Sequence, residues 1–178
     1  MKRIETRRER YDNKLKTAKK YPISLCAINF RVDDNLGYLI RSAACFGAER
    51  LYVIGHVPER SCLKAPSGSL IDYVEIIQYA TPQDFVDYAK SEGIQIVAAE
   101  LVEGAKPLSS YAFDFDSSVC LVVGNEQTGV PREIIVNSDV LYIPMPGVGY
   151  CLNTSQAANI MLYEATTQYD RKYAPVAQ

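Results

Sequence analysis

The sequence is poor in metal-ligating and cross-linking side chains. It has one histidine, His56, and five cysteines, Cys26, Cys45, Cys62, Cys120 and Cys151. No C-x-x-C pair occurs, and nothing at ligand spacing accompanies His56. The familiar zinc patterns are therefore excluded, no metal is expected, and His56 reads as a surface-loop residue. An odd set of cysteines, most of them in apolar runs, reads as reduced, buried thiols and argues against a disulfide framework. No apolar run approaches the ~20 residues needed to span a bilayer. The basic N-terminus lacks the apolar core of a secretory signal. These absences lead us to expect a cytoplasmic chain with no membrane span.

What is present fits one domain of ordinary size: 178 residues, 48% hydrophobic and 22% charged. The net charge of −2 hides an asymmetry. Residues 1–20 hold nine Lys/Arg against three acids, a local +6 that leaves −8 on the remainder. A basic arm on an acidic body points to a polyanion, with nucleic acid first in line. The same charges also suit a solvated helix with i,i+4 pairs. The expected organisation is a basic arm over 1–20, a domain over 21–173 and a tail over 174–178.

Along the chain, apolar runs alternate with helical patterns. Strands are expected at 23–30, 50–54, 73–79, 94–100, 119–123 and 140–143. Residues 5–20 form a polar helix or a mobile arm that Pro22 ends. Leu36, Leu39, Ile40, Ala43 and Ala44 share one helical face, with Asp34 or Asn35 as cap and Gly47 as the stop. Residues 55–72 read as a long loop. Thr81-Pro82-Gln83-Asp84 has the cap, N1 proline and N3 acid of a helix start. A short helix is expected at 131–136. Asn153 and Gln156 resemble a capping box ahead of a last helix with Ala157, Ala158, Met161, Leu162, Ala165 and Tyr169 on one face. Alternation of this kind predicts an α/β domain with a mostly parallel six-stranded sheet and helices on both faces.

Two of the strands stop abruptly at polar loops. Val119–Val123 runs into Gly124-Asn125-Glu126, and Val140–Ile143 runs into Pro144-Met145-Pro146-Gly147. In a parallel sheet such ends lie on one edge and form a binding site. Gly124 and Gly147 would let backbone approach a ligand closely.

Three segments together resemble the SpoU–TrmH family of RNA 2′-O-ribose methyltransferases: Asn35 to Arg41 with Phe46-Gly47, Val123 to Val130, and Ile143 to Gly147 with Leu152 to Ala157. All three stand in the family's order and spacing, and the resemblance covers about Ile23 to Tyr169. It implies the SPOUT fold, in which the C-terminal part is threaded into a deep trefoil knot. It also implies S-adenosylmethionine bound among the loops after the fourth, fifth and sixth strands, by Leu101, Gly124, Asn125, Ile143, Met145 and Leu152. A homodimer is implied, with the last helix and the first-motif helix at its interface and catalytic groups drawn from both subunits.

By the same resemblance, Arg41, Asn35, Glu126, Asn153 and Cys151 hold catalytic positions. Taking the proton from a guanidinium near neutral pH costs on the order of 7 kcal/mol. Arg41 is therefore expected to grip the target phosphate and steady the developing 2′-oxyanion rather than act as a base. Asn35 would orient Arg41 or the RNA backbone, Glu126 would hold the motif loops together, and Asn153 would bond the ribose or neighbouring loops. The family usually has serine where Cys151 stands, and a thiol is the weaker hydrogen-bond donor. Arg7, Arg8, Arg10 and Lys14 are the expected RNA contacts. The RNA would be structured, tRNA ahead of rRNA. A base methyltransferase of the same fold and a non-catalytic RNA-binding dimer are the alternatives.

Overall fold

Runs rich in Ile, Val and Leu become strands β1 (Ile23–Ile28), β2 (Leu51–Ile54), β3 (Ile76–Tyr79), β4 (Gln95–Ala99), β5 (Lys106–Pro107), β6 (Val119–Val123) and β7 (Asp139–Tyr142). In this computed structural model, which describes residues 5–174, they form one sheet in the order β3-β2-β1-β6-β4-β7-β5. Every pairing is parallel. The sheet therefore has seven strands, not the expected six. The addition, β5, lies inside a connector with little periodicity and contains a proline. An edge strand tolerates this because proline donates nothing to a ladder. Lys2 and Arg3 of the basic arm, and residues 175–178 of the expected tail, lie outside the described residues.

Both faces of the sheet are covered. β1 and β6 are buried along their whole length, as central parallel strands require. On one side Ile23, Leu25, Leu121 and Val123 pack with Leu36, Leu39 and Ile40 of α2 (Asp33–Phe46) and with Ala158, Met161 and Leu162 of α6 (Thr154–Tyr173). On the other, Cys26, Ile28, Cys120 and Val122 meet Phe85, Val86 and Ala89 of α4 (Pro82–Ser91) and Ile134 of α5 (Arg132–Ile135). The α4 start behaves as its sequence predicts, with Thr81 and Asp84 bonded reciprocally. Two expectations need correction. The third strand begins at Ile76, because Ile71–Tyr73 makes a turn of 3-10 helix. Three of the five cysteines, Cys45, Cys62 and Cys151, are exposed; Cys26 and Cys120 alone fit the buried reading.

Residues 55–72 are shaped, not merely a loop. They contain α3 (Arg60–Lys64), whose Leu63 is buried. Pro66 then lies on Gly37 of α2, where a Cβ would come within 2.4 Å of the proline ring. The described part of the arm, residues 5–20, likewise has a defined shape. α1 (Arg7–Leu15) starts at a capping box of Thr6 and Glu9 and buries none of its own residues. It is tethered by Tyr11, which donates to the Gly68 carbonyl (3.3 Å) and sits edge-on to Tyr73. Tyr73 in turn donates to Asp12 (2.6 Å).

Candidate active site

Because every strand is parallel, the loops after β1, β4, β6 and β7 leave the same edge. Three of them, with the start of α6, enclose a cavity of about 520 Å³. The size suits a small-molecule ligand. All six residues expected at the cofactor, Leu101, Gly124, Asn125, Ile143, Met145 and Leu152, line it. Glu126, Cys151 and Asn153 line it too.

The loop after β6 is tightly built. Asn125 and Gly129 exchange two backbone hydrogen bonds (3.1 and 3.0 Å). The Asn125 carboxamide accepts from the Gln127 and Thr128 N–H groups and donates to the Asn29 carbonyl. Gly124 is needed by this turn itself. A Cβ there would fall 2.2 Å from the Gly129 carbonyl carbon. Gly147 has nothing within 4 Å of where its Cβ would be. Gly124 is thus required by its own turn as well as lining the cavity, whereas the chain itself does not crowd Gly147.

At the cavity mouth, three side chains from distant segments join. Asn153 donates to Asn35 (2.9 Å), and Asn35 donates to Glu126 (2.6 Å). Glu126 also accepts the N–H groups of Arg31 (2.9 Å) and Val32 (3.4 Å). Neither Asp34 nor Asn35 caps α2. The cap position is Val32, which forms no side-chain cap bond. Instead Glu126 brings its carboxylate to the positive end of the helix from the loop after the neighbouring strand β6. Burial works to raise the Glu126 pKa, but the Arg31 N–H, the Asn35 amide and the Val32 N–H outweigh it, and the group is held below its ordinary value. Asn153 also caps α6, accepting from the Ser155 N–H (2.9 Å) and hydroxyl (2.6 Å) rather than forming the expected box with Gln156.

Arg41 stands apart. It is off the apolar stripe of α2, as its sequence position predicts, and exposed. It does not line the cavity of its own chain. Its guanidinium lies beside Gly68, whose carbonyl anchors Tyr11. Among the described residues no hydrogen bond or ion pair holds it. Arg7 and Arg8 project near Lys64 beside Tyr11, while Arg10 and Lys14 sit elsewhere on α1.

Two cavity residues escaped the sequence reading. Glu100, just past β4, accepts the N–H groups of Leu101 and Val130 (both 2.9 Å). Thr154 lines the cavity, and its hydroxyl, closed to solvent, has no hydrogen-bond partner among the described residues. Glu100 could have been found as a carboxylate ending an apolar run. Thr154 could not, since its isolation is a property of the packing. A buried hydroxyl left unpaired is costly, and this one is closed off from the cavity as well as from solvent. Among the described residues no group of three or more His, Cys, Asp or Glu side chains gathers as a metal site. No described helix is long and apolar enough to cross a membrane.

The model of the SpoU rRNA Methylase family matches residues 22–163. The chain belongs to this family. A curated relative, the tRNA (guanosine(18)-2′-O)-methyltransferase of Escherichia coli K12, is 26% identical over 85% of the chain and 66% of its own length. The chain is thus shorter than this relative and spans just under two thirds of it. Among solved structures, the TrmH/SpoU tRNA modifying enzyme of A. aeolicus matches with a TM-score of 0.76 at 26% identity, over 91% of this chain and 85% of that one. The SpoU methyltransferase AviRb of Streptomyces viridochromogenes, in complex with the cofactor AdoMet, matches at 0.72 and 25%, over 85% and 59%. These family members share the α/β class, and the three segments that carry the resemblance lie within the matched span.

Proposed function

We propose that this chain is an S-adenosylmethionine-dependent methyltransferase acting on a ribose 2′-hydroxyl of structured RNA, tRNA ahead of rRNA. The observation that carries the reading is the chain of bonds Asn153–Asn35–Glu126 at the mouth of a ligand-sized cavity. Family membership and the AdoMet complex of a related structure support the cofactor. The C-terminal trefoil threading belongs to this reading and rests on the family.

Leu101, Gly124, Ile143, Met145 and Leu152 would hold the cofactor through strand-end backbone and apolar side chains. When bound, the cofactor supplies an electrophilic methyl carbon. The chain's own work is to position the ribose and favour an alkoxide-like oxygen. Glu126 and Asn35 fix the start of α2 against the cavity, and Asn153 locks α6 to the same point. Arg41, exposed and unpaired, is free to grip a phosphate and steady the oxygen. Its distance from its own cavity supports a homodimer in which Arg41 serves the partner's site. Tyr38 on α2 (44% exposed) and Ile160 and Tyr163 on α6 (41% and 60%) are apolar surface suited to that contact. Ala158, Met161, Leu162 and Ala165 are the core side of α6. Cys151 is an exposed thiol in the cavity wall, and by the family's pattern it would stand towards the ribose. Arg7, Arg8, Arg10 and Lys14 extend the RNA surface along α1. The compartment proposed is the cytoplasm.

The test is methyl transfer from labelled cofactor to total RNA, followed by nucleoside analysis. A 2′-O-methylated nucleoside is expected, and Arg41→Lys should lose most of the rate. A methylated base would move the chain to the base-modifying reading. RNA binding with no transfer would leave a non-catalytic dimer. An Arg41→Lys enzyme at full rate would remove Arg41 from the mechanism.

A further inference from the structure

The cavity wall carries two carboxylates, Glu100 and Glu126, and among the described residues no lysine, arginine or histidine lines it. The two acids differ in employment. Glu126 is committed to the start of α2. Glu100 is held as firmly, its two oxygens fixed by the Leu101 and Val130 N–H groups. It is also tucked against Gly129, where a Cβ would lie 2.3 Å from Oε2. Glu100 is therefore a fixed negative charge in the wall of a partly enclosed site, where charges interact more strongly than in water.

We infer that Glu100 is a specificity determinant that makes the cavity favour a cationic sulfonium ligand over its neutral thioether product. This rests on the methyltransferase reading above. In methyl transfer the carbon–sulfur bond breaks, a carbon–oxygen bond forms, and the hydroxyl proton leaves to water. The spent donor thus carries one positive charge fewer than the fresh one, while its adenosine and amino-acid parts are unchanged. A wall with fixed negative charge and no compensating cation holds the first more tightly than the second. The functional consequence is release: the product is expelled by the loss of the charge that recruited the donor.

The test is calorimetric binding of S-adenosylmethionine and S-adenosylhomocysteine to the full chain, wild type and Glu100→Gln. Glutamine keeps the shape and one acceptor while removing the charge. Wild type is expected to prefer the sulfonium by about ten-fold or more, and Glu100→Gln to lose most of that preference with thioether affinity changed less than about two-fold. Equal affinity of wild type for the two ligands overturns the inference. A variant in which both weaken together also overturns it and leaves Glu100 as a loop staple. If the variant does not fold, the wild-type preference is measured at low and high salt together with sinefungin, whose amine replaces the sulfonium with another cation. Sinefungin binding like the thioether refutes the charge account. Failure of wild type to bind any of the three sinks the cofactor reading itself. Binding without preference sinks only this inference.

Discussion

The two loops that flank the cavity are built on opposite principles. Residues 124–130, after β6, are closed by a two-bond bridge, an Asx-type turn and ties to Asn29 and Glu100. Residues 143–153, after β7, are mostly exposed; Val148 is fully so and Tyr150 is 80% exposed. One wall is finished by the chain alone, and its geometry is in place before a ligand arrives. The other has its apolar side chains in water, which suits a segment completed by cofactor or by a second subunit. Where the two meet, Asn153 ties the open wall to Asn35 and so to the closed one.

Glycine substitutions test this contrast most strongly. Gly124→Ala pushes a methyl into the Gly129 backbone and should cost about 3 kcal/mol, lowering Tm by about 10 °C in thermal unfolding. Gly147→Ala meets nothing and should stay within about 0.5 kcal/mol. Equal effects at the two positions would abolish the distinction. Next comes the tie between the walls. Asn153→Ala removes the α6 cap and the bond to Asn35, and should cost about 1 kcal/mol by denaturant unfolding and about 100-fold in kcat/KM for methyl transfer. An unaltered rate would mean the Asn153–Asn35–Glu126 chain is scaffolding only.

A smaller effect is expected at Thr154. Thr154→Val removes a hydroxyl that has no partner among the described residues, so the protein should keep its stability or gain up to about 1 kcal/mol in thermal unfolding. A loss of more than about 1 kcal/mol would show that the hydroxyl has a partner after all. The smallest effect is that of pH. The Glu126 carboxyl is held below its ordinary 4.5, so it binds its proton more weakly folded than unfolded. Its contribution is complete above that value and is lost as pH falls through the folded one. Urea midpoints followed from about pH 6 to about pH 3 should therefore fall more steeply for wild type than for Glu126→Gln. Parallel curves would show that the carboxylate charge does not hold the closed wall.

Local chemistry carried much of the reading. The Thr81–Asp84 start of α4 needs only residues three apart, and it forms as written. The buried strands β1 and β6 announce themselves by unbroken apolar runs. β5 was invisible because two residues with a proline have no period to detect. α3 was hidden because five residues do not complete two helical turns. The cap of α2 was misplaced for another reason. Asp34 and Asn35 are the right residue types, but a carboxylate 91 positions away from Asn35 was better placed to receive the helix-start N–H groups.

By itself the sequence determined the alternation that demands a parallel sheet, the edge on which the strands end, and the three segments that meet there. Those follow from periodicity and short-range bonding, which neighbours in the chain control. The tertiary structure alone decided that Glu126 serves α2, that Gly124 is needed by its own turn, that Thr154 is left unpaired, and that Arg41 stands outside the cavity of its own chain. Each depends on which atoms approach across the sheet, and the pairing of distant groups is set by packing rather than by spacing along the chain.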